Sequence, residues 1–261
     1  MATAATHLAH LKQVMRISVV LSIANFKTTY ARSWLGYFWY ILNPLILFSV
    51  LLFLKHKGDV FTTDVSNYPL YLLVGIVFFQ YFIKTTTAGL TTFQRNRNII
   101  KNIKLPLEVF IISHCLTFAY AHAFDFLLIC IVTILLGGSI IGLLTYPFIF
   151  ILLALSTLGI TMLLAPLATT VSDITSIWSF VGTFLLLVTP IFYALDTASL
   201  VRAFNMVNPL FLYIELAREM LLYGTVQHPS ILIFALCCSI IIPALGLSVF
   251  NARKKRIAEL L

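Results

Sequence analysis

Few side chains in this chain of 261 residues are equipped for chemistry, and those that are sit in apolar surroundings. Asp125 lies inside a long apolar run with His122 three residues before it, so a helix would carry both on one face. A carboxylate inside a bilayer is costly unless it faces protein or water, so Asp125 needs a partner or an aqueous path. Two roles fit: a polar patch in a translocation pathway, or a buried Asp–His pair that fixes helix packing. Lys84 and His114 are the other ionisable groups within apolar runs. Aromatic residues form the second group. Trp34, Tyr37, Phe38, Trp39 and Tyr40 open one apolar run, and Phe192 and Tyr193 close another. Such residues serve either as an interfacial belt or as platforms on which sugar rings stack.

The chemistry that is missing narrows the field. There is no G-x-x-x-x-G-K-[ST] phosphate loop, no H-E-x-x-H, no G-x-S-x-G and no pair of carboxylates at a useful spacing. Neither ATP hydrolysis nor other catalysis is expected of this chain alone. Cys115, Cys130, Cys237 and Cys238 all lie in apolar runs without metal or redox spacing, and so pack as small hydrophobes.

The elements that must position these residues follow from composition. Apolar residues make up 61% and charged residues 10%, against roughly 45–50% and about 25% in an average soluble domain. The excess is membrane-spanning surface, so the fold class is all-α and polytopic. A net charge of +8 would suggest nucleic acid in a soluble protein; here the cations lie between apolar runs, where they set topology, and no nucleic-acid partner is expected. Six spans are predicted at about 34–54, 69–89, 109–136, 143–169, 174–195 and 230–250. Lys12, Arg16, Lys27, Arg32, Arg95, Arg97, Lys101, Lys104 and Arg253 to Arg256 fall on one face, against Lys55, Lys57, Arg202 and Arg218 on the other. Both termini are therefore expected in the cytoplasm.

Residues 1–32 have no signal-peptide pattern, and Leu8, Leu11, Met15, Val19, Ser22 and Phe26 make a stripe for a helix lying in the membrane interface. Residues 92–104 interleave basic side chains with Ile99, Ile100 and Ile103. The stretch 196–229 is too polar and broken to span. Asn208-Pro209 fits an N-cap followed by Pro at the first helical position, which splits Ser199–Val207 from a helix Pro209–Leu222 ending at Gly224. Both pieces are too short to cross ~30 Å and should dip into the outer leaflet and return, with Glu215 paired to Arg218 at i, i+3. Residues 1–261 then form one domain: an interfacial helix (1–32), a six-span membrane region (33–250) and a cytoplasmic tail (251–261).

Arg32-Ser33-Trp34-Leu35-Gly36 with Trp39, Asn43, Pro44 and Leu45 resembles the opening of polysaccharide-exporting ABC transporter permeases of the ABC-2 type. Three further segments continue the resemblance in order: Asn102 to Pro106, Thr189 to Tyr193, and Asn208-Pro209-Leu210 followed by Arg218 and Gly224. This resemblance implies a homodimer in the cytoplasmic (inner) membrane, driven by two copies of a separate ATP-binding subunit that carries ATP and Mg. It implies export of a lipid-linked glycan of O-antigen, capsule or teichoic-acid type. It also implies a coupling helix in the segment holding Arg95, Arg97, Lys101 and Lys104, and a re-entrant gate containing Asn208, Pro209, Glu215 and Arg218. Tyr37, Tyr40, Phe192 and Tyr193 are candidates for the substrate pathway, with His122 and Asp125 as its intramembrane polar pair. Many members of that family carry Arg-Asp where this chain has Ser172-Asp173, which leaves an N-cap role but removes an ion pair. Two other functions remain open: an ABC-2 permease for a lipid or drug, and a membrane-bound glycosyl- or acyltransferase. For the transferase, residues 196–229 supply only Asp196, Glu215, Glu219 and His228, without catalytic spacing.

Overall fold

The computed structural model describes residues 2–30, 38–58, 65, 67–103, 105–194 and 200–260. Among these residues every regular element is a helix: α1 (Ala2–Tyr30), α2 (Phe38–Gly58), α3 (Tyr68–Leu90), α4 (Thr92–Arg95), α5 (Arg97–Asn102), α6 (Glu108–Leu135), α7 (Ile140–Thr170), α8 (Asp173–Val188), α9 (Leu200–Asn205), α10 (Pro209–Tyr223) and α11 (Pro229–Leu260). Four of them, α3, α6, α7 and α11, are long and apolar enough to cross a membrane, while Ile41–His56 and Asp173–Val188 are shorter apolar helices.

Helix ends depart from the predicted spans for local reasons. The fifth apolar helix stops at Val188 rather than 195, because Pro190 pushes Thr189 into extended backbone at φ −71°, ψ 127°. Ser172 stands at its N-cap position with helical dihedrals and makes no side-chain cap, so the expected N-cap role is not performed. The tail after 250 is no separate piece: α11 runs on to Leu260, with Ile257 fully buried. The segment 92–104, expected as one basic element, holds two short helices, α4 and α5, among its described residues. They break at Asn96, whose side-chain amide donates back to the Thr92 carbonyl at 2.8 Å.

Helix α3 is buried nearly all round, with Leu70, Leu72, Leu73, Val74, Val77 and Phe78 inaccessible, and so forms the centre of the bundle. Helices α6, α7 and α10 pack against it, with α2 and α8 at its flanks, while α11 lies on α7 and α10. α7 and α11 make the closest crossing: a Cβ on Gly246 would lie 2.1 Å from the Gly159 carbonyl oxygen, so only glycine permits the approach. α1 lies along α6, and the predicted stripe divides between the two surroundings, with Ser22 and Phe26 turned to Tyr120 and Phe124 of α6. Val14, Ser18 and Ser22 are the buried face, with Ser22 Oγ hydrogen-bonded to Tyr120 (3.3 Å) and Thr117 Oγ1 to the Ser22 carbonyl (3.3 Å). Leu11, Met15 and Val19 point outward, as suits a face meeting lipid.

The bundle has two distinct ends. At the basic end Phe93 of α4 packs with Phe110, Met162, Phe250 and Ile257, and Lys254 pairs with Glu108 at 3.3 Å. At the far end α10 is enclosed by α3, α7 and α11. Asn208 caps α10 by accepting from the Leu210 amide (3.1 Å), and Gly224 ends it in the left-handed region at φ 73°. From Leu210 to Ile214 and again from Leu216 to Leu221 its residues are buried in protein, which a short helix at membrane depth requires.

Candidate functional site

The far end is organised by one side chain. Arg218 is 2% exposed and donates from Nε to the Tyr71 carbonyl (3.0 Å), from Nη1 to Pro190 (2.8 Å) and from Nη2 to Ile191 (3.0 Å). Its guanidinium lies 3.4 Å from the Tyr71 ring centroid, and Glu215 Oε2 completes the surroundings at 3.7 Å. Gly75 leaves room for it, since a Cβ there would stand 2.6 Å from Nη2. Two tyrosines of α3 extend the clamp: Tyr68 donates to Phe192 O (2.8 Å) and Tyr71 to Tyr193 O (2.9 Å). Four consecutive carbonyls, Pro190 to Tyr193, are thus each held by a side chain from α3 or α10. Asn208 adds a bond from Nδ2 to Thr189 Oγ1 at 2.9 Å. Phe192 and Tyr193 are consequently half-buried on a fixed loop, with the Tyr193 hydroxyl donating to Val188 O at 3.1 Å.

Beside the clamp lies a cavity of about 160 Å³, walled in part by Tyr71, Arg202, Glu215 and Tyr223. Glu219 also borders it and holds the chain after α10, accepting from the amides of Gln227 (2.8 Å) and His228 (3.2 Å) and facing His228 Nδ1 at 2.5 Å. Glu215, Arg218 and Glu219 therefore come together, Asn208 reaches the same loop through Thr189, and Pro209 serves as the first residue of α10.

His122 and Asp125 lie elsewhere, within the bundle. His122 Nε2 is 3.0 Å from the Tyr146 hydroxyl, and its ring stacks on Phe150 at 3.9 Å. Its Nδ1 is 3.7 Å from Asp125 Oδ2, beyond hydrogen-bonding length, and neither His122 Nδ1 nor Asp125 Oδ1 has a hydrogen-bond partner among the described residues. Lys84 is the charge whose field reaches Asp125, while its own Nζ donates to Gln80 at 2.7 Å. At Asp125, 7% exposed, the change Asp125→Asn keeps the shape and removes a buried carboxylate. In the exporter that the sequence resemblance implies, Asp125→Asn is expected to keep transport within about twofold of the parent per inserted complex, since a well-packed buried charge is replaced at little net cost. A tenfold loss from an intact complex would instead put Asp125 on the transport route.

At the basic end Arg95, Arg97 and Lys101 are exposed along α4 and α5, anchored from below by Phe93. Lys104 and Tyr37 lie outside the described residues, as does the side chain of Tyr40, whose backbone belongs to α2.

A further surface was overlooked in the sequence. Gly182 is the sole buried residue of α8. Ser172, Ser176, Ser179 and Thr183, at i, i+4, i+7 and i+11, all face outward, flanked by Phe180 (74% exposed) and Phe184 (48%). Thr183 Oγ1 donates back to the Ser179 carbonyl at 3.2 Å, and the stripe as a whole offers hydroxyls to water, a polar solute or a closely packed partner helix. The signal was the 3.6-residue recurrence of hydroxyls, masked by the high overall hydropathy of the segment. One indole fixes α8 laterally, with Trp178 Nε1 donating to Thr86 Oγ1 at 3.0 Å.

Residues 18–222 match the family described as ABC-2 type transporter. Two Klebsiella pneumoniae proteins named O-antigen export system permease protein RfbA are 30% and 29% identical, each comparison spanning 93% of this chain and 94% of the relative. A Myxococcus xanthus protein of the same name is 23% identical over 95% of this chain and 96% of its own length.

Proposed function

The chain belongs to the ABC-2 type transporter family, and we propose that it is the membrane subunit of an exporter that carries a lipid-linked polysaccharide, of O-antigen, capsule or teichoic-acid type, across the cytoplasmic membrane. The near full-length similarity to O-antigen export permeases supports the substrate class. In this reading all six apolar helices span, both termini face the cytoplasm, and α9 with α10 forms a re-entrant gate at the outer end. Burial of Arg218 supports that orientation, because it removes one cation from the outer loops and sharpens the charge asymmetry. ATP and Mg belong to a separate subunit, two copies of which dock beneath Arg95, Arg97, Lys101 and Lys104.

The outward hydroxyl and aromatic face of α8 carries the reading. A single bundle with its core filled by α3 has no room for a glycan. Two copies that bring their α8 faces toward one another would enclose a path lined with hydroxyls for hydrogen bonding and rings for stacking. Tyr37, Tyr40, Phe192 and Tyr193 would extend the aromatic lining toward its mouths. The test is reconstitution with the cognate ATP-binding subunit in vesicles, following ATP-dependent translocation of a lipid-linked glycan. Ser179→Leu with Thr183→Leu is expected to cut transport at least tenfold at an unchanged amount of assembled complex. Full transport by that double variant would remove α8 from the path. Transport of a short-chain lipid or drug in place of glycan would assign the permease to another substrate class.

A further inference from the structure

An open groove runs between α1 and α11 at the basic end of the bundle, and neither the export path nor the basic coupling segment uses it. Leu11 and Val14 form one wall, Leu247 the other, and Leu158 and Met162 of α7 the floor; His10, Asn251 and Lys254 stand at the mouth. The groove extends along α11 from Lys254 back to Pro243, eleven residues or about 16 Å. That is half of the ~30 Å hydrocarbon core, the depth of one leaflet.

Its length and lining suit one occupant: an apolar trough of about 590 Å³, one leaflet deep, takes an acyl chain. Charge selects the head group. Around the mouth α1 carries Lys12 and Arg16 and the end of α11 carries Arg253, Lys254, Lys255 and Arg256, against the carboxylates of Glu108 and Glu259. Glu108 engages Lys254 at 3.3 Å, yet the Lys254 side chain remains 46% exposed and has donors to spare.

We propose that this groove is a binding site for an anionic glycerophospholipid of the inner leaflet, one acyl chain lying over Leu158 and Met162 and the phosphate meeting Lys254 and His10. The excess of cations over carboxylates favours a net negative lipid over a zwitterionic one. Occupied in this way, the lipid joins α1 to α11.

Native mass spectrometry of the full-length protein, purified in mild detergent with its co-purifying subunits and titrated with phosphatidylglycerol or phosphatidylethanolamine, tests this. One retained phosphatidylglycerol per chain is expected, at least fivefold above phosphatidylethanolamine. Leu247→Trp, a change at a wall residue 44% exposed and so harmless to the core, should lower retention of both lipids about fivefold by filling the groove. His10→Gln with Lys254→Gln should abolish the preference for phosphatidylglycerol, and His10→Gln with Lys254→Arg should restore much of it. Equal retention of the two lipids, or retention unchanged by Leu247→Trp, overturns the proposal, as does efficient disulfide formation between two copies through Leu247→Cys. The readout is bound lipid mass, so it succeeds or fails independently of glycan export.

Discussion

Replacing Arg218 with Met is expected to deplete the folded protein from the membrane. The three hydrogen bonds from Arg218 end on backbone carbonyls of Tyr71, Pro190 and Ile191, three buried residues. Leaving buried acceptors without donors costs about 1–3 kcal/mol each. Some recovery comes from the apolar Met side chain, and some carbonyls will turn toward neighbours, so a net loss of about 3–5 kcal/mol is the reasonable figure. That is a large share of the 5–15 kcal/mol typical of a folded domain. Lys at this position keeps the charge but offers a point donor in place of a planar fork, and should rescue only part of the loss. Glu215→Gln should cost less than about 1 kcal/mol, because that carboxylate stands at 3.7 Å and is not the principal partner of the guanidinium. Thermal unfolding in mild detergent, followed by size-exclusion chromatography, ranks the three variants. An Arg218→Met protein that unfolds within two degrees of the parent would mean that the clamp contributes nothing to stability.

Arg95→Glu with Arg97→Glu is expected to abolish export while leaving a stable protein. The two side chains are exposed, whereas α4 is anchored through Phe93 and α5 through Ile99 and Ile100, so reversal of charge does not disturb packing. In the docking role proposed above, the substitutions set like charges against one another at the contact with the ATP-binding subunit, a penalty of several kcal/mol. Each ~1.4 kcal/mol is tenfold in association, so at least a hundredfold weaker coupling follows. Glycan on the cell surface, normalised to inserted permease, measures the effect, with co-purification of the ATP-binding subunit measured alongside. Normal export by the inserted double variant would leave these arginines with a role in topology and lipid contact only.

How much of this was legible in the sequence depended on where each partner lies. Asn208-Pro209 and Gly224 announce the boundaries of α10, because capping is a matter of neighbours within a few residues. Apolar runs announce the long helices for the same reason. Arg218 was expected opposite Glu215, and that pair does form at 3.7 Å, but the stronger partners are carbonyls on two distant segments. A backbone carbonyl is the same at every residue, so nothing in the sequence marks it as an acceptor. On α1 the stripe read from periodicity divides: Leu11, Met15 and Val19 turn away from the bundle, as a membrane-facing stripe should, whereas Ser22 and Phe26 of the same stripe turn to α6 beside Ser18. His122 was placed beside Asp125 by spacing alone; its nearest polar contact is Tyr146, on the following helix.

The early stop of α8 at Pro190 has a consequence for the bilayer itself. Sixteen residues from Asp173 to Val188 give a rod of about 24 Å, some 6 Å shorter than the ~30 Å hydrocarbon slab that its long neighbours α3, α6, α7 and α11 were built to cross. In the six-span arrangement proposed above, lipid next to α8 must thin to meet it, at a fraction of a kcal/mol for each ångström of hydrophobic mismatch. Two copies that turn their α8 helices inward hide the short rod from lipid and relieve the strain in the surrounding membrane. Bilayer thickness thereby becomes a force on assembly: thick membranes should drive the two copies together, and thin ones should release them.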